Sequence, residues 1–173
     1  MKKLQKHDGF TLIELLIVVA IIGIIAAIAV PGLLRARLSG NEASSIGSVR
    51  TISSAQATFS SSCGGGGYAS TLAALAAAPA GSVAFLPPDL ATGVKSGYTF
   101  TNAGVIPVVL AQALTCNNTA DSHTGFLATG NPTTDGTTGV RAFGVDQTGV
   151  IRWTGAAAGI TDAATYAAAQ VLQ

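Results

Sequence analysis

The chain has 173 residues, 9 Lys+Arg against 8 Asp+Glu, and only 10% charged residues. That length allows one globular domain plus an appendage. The charge balance gives no basic patch for nucleic acid, and the scarcity of charge beside abundant Gly, Ala, Ser and Thr suits a packed, self-associating outer-surface protein rather than a highly solvated one.

Met1 to Gly9 is short and basic, with Lys2, Lys3 and Lys6. Lysines flanking an apolar run stay on the cytoplasmic side, which sends the C-terminus outward. The run itself, Gly9 to Val30, is apolar except for Thr11 and Glu14. As a helix it extends about 33 Å, enough to cross a hydrocarbon core. Glu14 is costly there, by roughly 2.5–3.5 kcal/mol at a helix centre and less near an end, so it demands a partner. No small-x-small cleavage site follows the run, as an ordinary secretory signal would require; Gly9 precedes it instead.

The string Gly9, Phe10, Thr11, Leu12, Ile13 and Glu14, with Pro31 at the far end, resembles the leader of the type IV pilins and of their secretion-system relatives, the pseudopilins. The resemblance covers roughly the first fifty residues. It implies that a prepilin peptidase cuts between Gly9 and Phe10 and methylates the new Phe10 terminus. It also implies a homo-oligomeric filament built by inner-membrane assembly machinery, with Phe10, Glu14 and Pro31 as assembly residues. The monomer would wait in membrane lipid as a single-pass inner-membrane protein, its C-terminus outside, before reaching the cell surface. Cleavage would create an α-amine with a pKa near 7.7–8.0. That amine and Glu14 of a neighbouring copy supply opposite charges, and pairing lowers the expense of burying each. Loss of the leader takes the formal charge from +1 to −1, because Lys2, Lys3, Lys6 and Asp8 leave together.

Beyond Val30 the sequence reads Pro31-Gly32, then Leu33-Leu34-Arg35-Ala36-Arg37. Proline removes a backbone hydrogen bond and kinks or breaks a helix; the resemblance implies a kink here, and unwinding between Gly23 and Pro31 in some filaments. Arg35 and Arg37 mark the outer membrane interface. Ile46, Val49, Ile52 and Phe59 recur at three- and four-residue spacing with Ala55 and Gln56 on the same face, whereas Glu42, Ser45, Ser48 and Arg50 occupy other faces. The pattern predicts one helix from about Phe10 to Ser61, its second half amphipathic. Ser60 to Gly67 ends it, since four glycines permit a sharp turn. A phosphate cradle is not indicated, because no Gly-Lys-Ser/Thr follows.

Tyr68 to Ala78 reads as a short helix stopped by Pro79 and Gly81, and Pro87-Pro88 opens an irregular stretch. Strand patterns follow at Ser96 to Thr101, Val105 to Leu114, Gly125 to Thr129, Thr138 to Val145 and Val150 to Trp153. Asn102-Ala103-Gly104 reads as a turn, Pro107 demotes its strand to an edge or bulge, and Asp146 to Gly149 reads as a hairpin turn. Ala163 to Leu172 suggests a C-terminal helix. The sum is an α+β architecture: a long N-terminal helix packed on a small antiparallel sheet. The segments are a leader at 1–9, a transmembrane and filament-core helix at 10–31, its amphipathic half at 32–62, and a head at 63–173. Within the head, 63–96 forms a connecting loop region, 97–153 the sheet and 154–173 a tail.

Cys63 and Cys116 both follow the membrane run, on the expected outside, where an oxidising compartment permits a disulfide. Their spacing lacks the paired pattern of zinc sites. His123 reads as a solvated loop residue; Asp121 and Ser122 beside it do not make a triad, since triads assemble through the fold. Asp135 and Asp146 read as turn residues beside Gly136 and Gly149. Asp121 and Asp162 are scattered, and without EF-hand spacing no metal site is assigned; some secretion pseudopilins hold calcium in the head, which keeps that alternative open. The expected function is a structural type IV pilus subunit, not an enzyme and without a cofactor. The alternatives are a type II secretion pseudopilin and a pilin-like subunit for adhesion or DNA uptake. Between Phe10 and Phe59 the helix has no aromatic residue, so no conductive core is expected.

Overall fold

A computed structural model describes residues 10–172. They fall into two units, one ending at Ala36 and the other beginning at Arg37. A single helix, α1 (Leu12–Ser62), contributes to both. It runs through Pro31 as continuous helix, in keeping with the one long helix expected. Proline lacks an N–H and therefore leaves one carbonyl of the preceding turn without its usual donor. From Leu12 to Ala36 the described part of the first unit is helix exposed on every side, with Ile17, Ile24 and Ile28 all more than half exposed.

In the second unit, α1 buries Val49, Ile52, Ala55, Gln56 and Phe59. The three- and four-residue spacing of these residues puts them on one helix face, as the pattern implied. Glu42, Ser45 and Ser48 are buried as well. This corrects their assignment to other faces: Glu42 is answered by Val140 and Arg141 from the sheet side, Ser48 donates to Ser44 O within the helix, and Ser45 Oγ is buried with no partner among the described residues. The helix stops where Gly64 N–H donates to Phe59 O and Gly66 N–H to Ser60 O. Gly65 and Gly66 adopt φ of +60° and +91°, which a side chain would disfavour.

A seven-stranded antiparallel sheet follows. Its strands are β1 (Tyr68–Ala69), β2 (Val94–Lys95), β3 (Tyr98–Leu110), β4 (Ser122–Pro132), β5 (Arg141–Asp146), β6 (Ile151–Gly155) and β7 (Gln170–Val171). The order is β2-β3-β4-β5-β6-β7, and β1 pairs with β4 through Tyr68 opposite His123. Short helices α2 (Leu72–Ala76), α3 (Pro88–Ala91) and α4 (Ala163–Ala168) and a 3-10 turn at Gln112–Leu114 complete the unit. One sheet face packs Tyr98, Phe100, Phe126, Phe143 and Val145 with the α1 stripe and with Leu75, Leu86 and Leu90. The other face packs Leu127 and Ala142 with Ile160, Tyr166 and Ala169. Along β5, Ala142 and Phe143 thus lie in different clusters, as the two-residue period of a strand requires. Gly144 gives α4 room: a Cβ there would stand 3.2 Å from both Ile160 and Tyr166 side chains.

Three sequence expectations change. The turn at Asn102–Gly104 is not there; β3 runs straight through it. Asn102 instead accepts from Gln56 Nε2 at 2.9 Å and donates to Ala69 O at 2.8 Å, while the His123 ring occupies the space a Gly104 side chain would need. Tyr68 to Ala78 is not one helix, because Ala69 N–H donates to buried Gln56 Oε1 and its carbonyl accepts from Gln56 Nε2, both at 2.8 Å. The C-terminal helix ends at Ala168, and Gln170–Val171 then closes the sheet beside β6. The hairpin turn between β5 and β6 is as read, with Gly149 at φ +75°.

Tyr98 is fully buried and donates its hydroxyl to Arg141 O at 2.8 Å. Burial foremost, then the negative charge of Glu42, pushes this phenol up from 10.0 to about 12. Because the folded value lies above the unfolded one, this contribution to stability is complete below pH 10 and lost as pH rises through about 12. Tyr98→Phe should therefore lower stability at pH 8 by about 1 kcal/mol through the lost hydrogen bond. Its stability should then fall less steeply than that of the parent between pH 10 and 12, measured by urea unfolding of the detergent-extracted protein.

Candidate functional site

The start of α1 is a reciprocal cap. Thr11 donates from its backbone N–H to Glu14 Oε2 at 2.8 Å and from its hydroxyl to the same oxygen at 2.7 Å. Glu14 N–H returns a bond to Thr11 Oγ1 at 3.3 Å. This is the capping box, in which residues three apart satisfy donors that a helix start leaves open. The carboxylate also sits at the positive end of the helix dipole. Oε1 of Glu14 has no hydrogen-bond partner among the described residues. Phe10, one position before the cap, is 88% exposed. Gly9, the other half of the expected cleavage site, lies outside the described residues. The geometry therefore gathers Phe10 and Glu14 at one helix end; the bonds Glu14 makes are to Thr11. Pro31 stands apart, an exposed residue within the same helix.

Read from the sequence, Glu14 is an acid in an apolar run and an assembly residue that pairs with a neighbour's amine, not a helix cap. The signal that reading passes over is the Thr-x-x-Glu spacing itself, which marks a helix start wherever an apolar run follows.

A second acid of α1, read from the sequence as lying on another helix face, is a buried ion-pair partner. Glu42 is 5% exposed. Its Oε1 accepts Val140 N–H at 3.0 Å, and its Oε2 accepts Arg141 Nε at 2.8 Å and stands 2.7 Å from Arg141 Nη2. The guanidinium in turn lies over the rings of Phe143 and Trp153, at 5.5 and 5.4 Å. One residue earlier, Asn41 Nδ2 donates to Thr138 O at 2.9 Å. Adjacent residues of α1 thus hold both ends of the chain from 138 to 141. No spacing in sequence joins positions 42 and 141, so only the fold discloses the pair.

Cys63 and Cys116 are joined as a disulfide, with Cα atoms 4.7 Å apart. Two further bonds cross beside it: Cys116 N–H to Cys63 O at 3.3 Å, and Ser122 Oγ to Gly64 O at 2.8 Å. The end of α1 is therefore fixed to the start of β4.

The remaining polar residues do not converge. His123 is a half-buried strand residue rather than a solvated loop residue, because β4 extends back to Ser122 and pairs with both β1 and β3. Asp146 accepts from Thr148 N–H at 2.9 Å and from Tyr166 Oη at 3.1 Å, Asp162 caps α4, and Asp121 accepts from Gln112 N–H at 2.7 Å. Each carboxylate serves a turn or cap. Among the described residues, no three His, Cys, Asp or Glu side chains gather as metal ligands.

Comparison with known proteins meets the chain at its first helix. Residues 4–30 match the model of the prokaryotic N-terminal methylation motif. The type IV major pilin protein PilA of Myxococcus xanthus is 43% identical over 54 residues, 31% of this chain and 24% of that protein. The type IV major fimbrial protein FimA of Dichelobacter nodosus is 81% identical over 31 residues, 18% of this chain and 19% of that protein. The type IV wide pilus major component PilA4 of Thermus thermophilus is 65% identical over 39 residues, 22% of this chain and 30% of that protein. The chain thus spans between about a fifth and a third of the length of these curated relatives. No solved structure matches. The motif and the relatives together support the type IV pilin family.

The disulfide closes a 53-residue separation, which on the chain-entropy account stabilises by roughly 4 kcal/mol. Replacing Cys63 and Cys116 by serine should lower the urea midpoint of the second unit without preventing membrane insertion. Peptide mapping without reductant should recover a Cys63–Cys116 peptide from the parent protein alkylated on lysis. Two alkylated thiols in that material would contradict it.

Proposed function

We propose that this chain is the structural subunit of a type IV pilus filament, processed between Gly9 and Phe10 and assembled through its apolar N-terminal helix. The observation that carries the reading is the start of α1: an exposed Phe10, a carboxylate four residues on with one oxygen unpartnered, and a methylation motif over the same residues. The relatives named as major pilins support it.

The mechanism follows from the chemistry. Three leader lysines hold the first residues in the cytoplasm while the helix spans the inner membrane and the C-terminus lies outside. Removal of residues 1–9 leaves a protonated amine on Phe10, methylated by the same peptidase. Glu14 Oε2 remains with Thr11, and Oε1 receives the amine of a neighbouring copy. Each copy carries both halves of this contact, so it repeats along a fibre. Inner-membrane machinery moves the exposed isoleucines and valines of α1 from lipid into a bundle of like helices, with the second units at the surface of the fibre. Moving apolar surface from lipid to protein gains little by itself; the charged contact and packing must favour assembly and set register. A shaft subunit needs that contact at every level, which favours a pilus subunit over a tip initiator. No role here calls for catalysis or a cofactor.

Two measurements test this. Mass spectrometry of surface material should find Phe10 as the N-terminus, carrying a methyl group; mature protein beginning only at Met1 would reject processing. Glu14→Gln should preserve the cap, because Gln serves in the box as Glu does. It removes the charge that meets the neighbour's amine, and breaking a buried pair typically costs about 3–5 kcal/mol. Sheared filament should fall sharply while processed monomer accumulates in the inner membrane. Filament at the parent yield from Glu14→Gln as sole subunit would reject the pairing.

A further inference from the structure

On the sheet face covered by α4, a cavity of about 270 Å³ opens between β3, the β5–β6 hairpin and α4. Its apolar wall includes Val105 and Leu127 from the sheet and Ala163 and Ala167 from α4. Small side chains keep it open: both alanines are exposed, four residues apart and so on one side of the helix. Two opposite charges border this cavity without meeting. Asp146 gathers its bonds on one oxygen, where Oδ1 accepts Thr148 N–H at 2.9 Å, the Thr148 hydroxyl, and Tyr166 Oη at 3.1 Å. Its Oδ2 has no partner among the described residues. Arg152 directs Nη1 to Ala167 O and Ala169 O, each at 3.1 Å. Its Nε is buried without a partner, and Nη2 has none among the described residues. The guanidinium lies over the Tyr166 ring, 5.4 Å from its centre, while the hydroxyl of that ring reaches Asp146. The two charges thus stand over one ring and at its tip, and among the described residues neither belongs to an ion pair.

We propose that this cavity binds a small zwitterion with an aliphatic body, the chemistry of a free α-amino acid. Its carboxylate takes Arg152 Nη2, its ammonium takes Asp146 Oδ2, and its side chain lies against Val105, Leu127 and Ala163. Other guests answer the site less well. An anion alone leaves Asp146 unanswered and sets like charge near it, and a cation alone does the same to Arg152. A neutral apolar guest strips water from both charges and pairs neither. The volume lies just below the ~300–1,000 Å³ of sites for drug-sized ligands, which suits one small molecule rather than a stretch of chain. A second hollow of about 460 Å³ shares Val105, Leu127 and Ala163 with the first, so the aliphatic body can extend past the charged end. The charged groups are held beforehand, the carboxylate through Oδ1 and the guanidinium through Nη1. Little side-chain freedom is then lost when a ligand arrives. The site lies wholly within the second unit and needs neither processing nor assembly, so it stands independently of the filament reading.

The test titrates L-leucine into the detergent-extracted full chain at neutral pH and follows binding by calorimetry. Saturable binding at one site per chain is expected. Leucine methyl ester, which lacks the anion, and isocaproate, which lacks the ammonium, should each bind at least about tenfold more weakly, as loss of a charged hydrogen bond does. Asp146→Asn keeps an oxygen for Thr148 and Tyr166 but removes the charge, so it should weaken leucine by about tenfold and leave isocaproate no weaker than in the parent. Ala163→Leu touches none of these bonds and fills the cavity from an exposed position. It should abolish leucine binding while the urea midpoint stays that of the parent, which keeps the test decisive even where Asp146→Asn disturbs its turn. Absence of saturable leucine binding by the parent would overturn the proposal. Equal affinity for leucine, its ester and isocaproate would overturn it too, leaving an apolar hollow that ignores charge. Undiminished leucine binding by Ala163→Leu would place the ligand elsewhere and overturn the assignment of this cavity.

Discussion

The second unit depends on a carboxylate that has nowhere else to go. Glu42 is buried midway along α1, where an unanswered charge would cost several kcal/mol. The fold answers it from one short stretch of chain, through the Val140 N–H and the Arg141 guanidinium. That guanidinium is only partly exposed and is spread over two aromatic faces. Two guanidinium nitrogens reach the same oxygen of this partly desolvated carboxylate while Val140 N–H takes the other, an arrangement in which an ion pair specifies geometry rather than merely decorating a surface. Its consequence is register: α1 cannot slide along the sheet by a turn without stranding the carboxylate. Asn41 to Thr138 O and Tyr98 Oη to Arg141 O reinforce the same stretch from the helix and from β3.

The division of labour along α1 explains how much of the molecule was legible beforehand. The apolar run, the helix to Ser62, the buried Val49-Ile52-Phe59 face, the hairpin at Asp146–Gly149 and an antiparallel sheet follow from period and turn chemistry, which act over a few residues. The errors share a cause. Asn102 and Glu42 are polar residues whose partners lie far along the chain. Asn102 and Gly104 look like a turn by composition, yet the amide is claimed by Gln56 and Ala69 and the glycine by the imidazole ring above it. Local rules price a polar side chain as if water were its only alternative; here another strand outbids water. The two-residue strands β1 and β7 were invisible for a related reason, since a pairing of two residues has no period to detect.

At the N-terminal end the legibility is reversed. The Gly9-Phe10 string and Glu14 stood out because an acid inside an apolar run is conspicuous, whereas the local bond it makes did not. Thr11 and Glu14 show that one residue can serve its own helix and still leave an oxygen for another molecule. Oε2 secures the first turn, so the side chain is held in a defined rotamer before any neighbour arrives. An acid fixed in this way loses less side-chain freedom on pairing than a free one would.

The bond between Cys63 and Cys116 also fixes a route for force. A pull applied between α1 and the strands that follow Cys116 passes straight across the sulfur bridge. The intervening residues, which include β1, α2, α3 and β3, form a closed covalent loop in parallel with it. That loop spans a separation of 53 residues, and chain of that length would extend by roughly 180 Å if freed. With the bridge intact none of that length is available to lengthen the molecule. The sheet can then unravel only from the β5–β7 side, and the first half of the unit keeps its shape under tension that would otherwise draw it out.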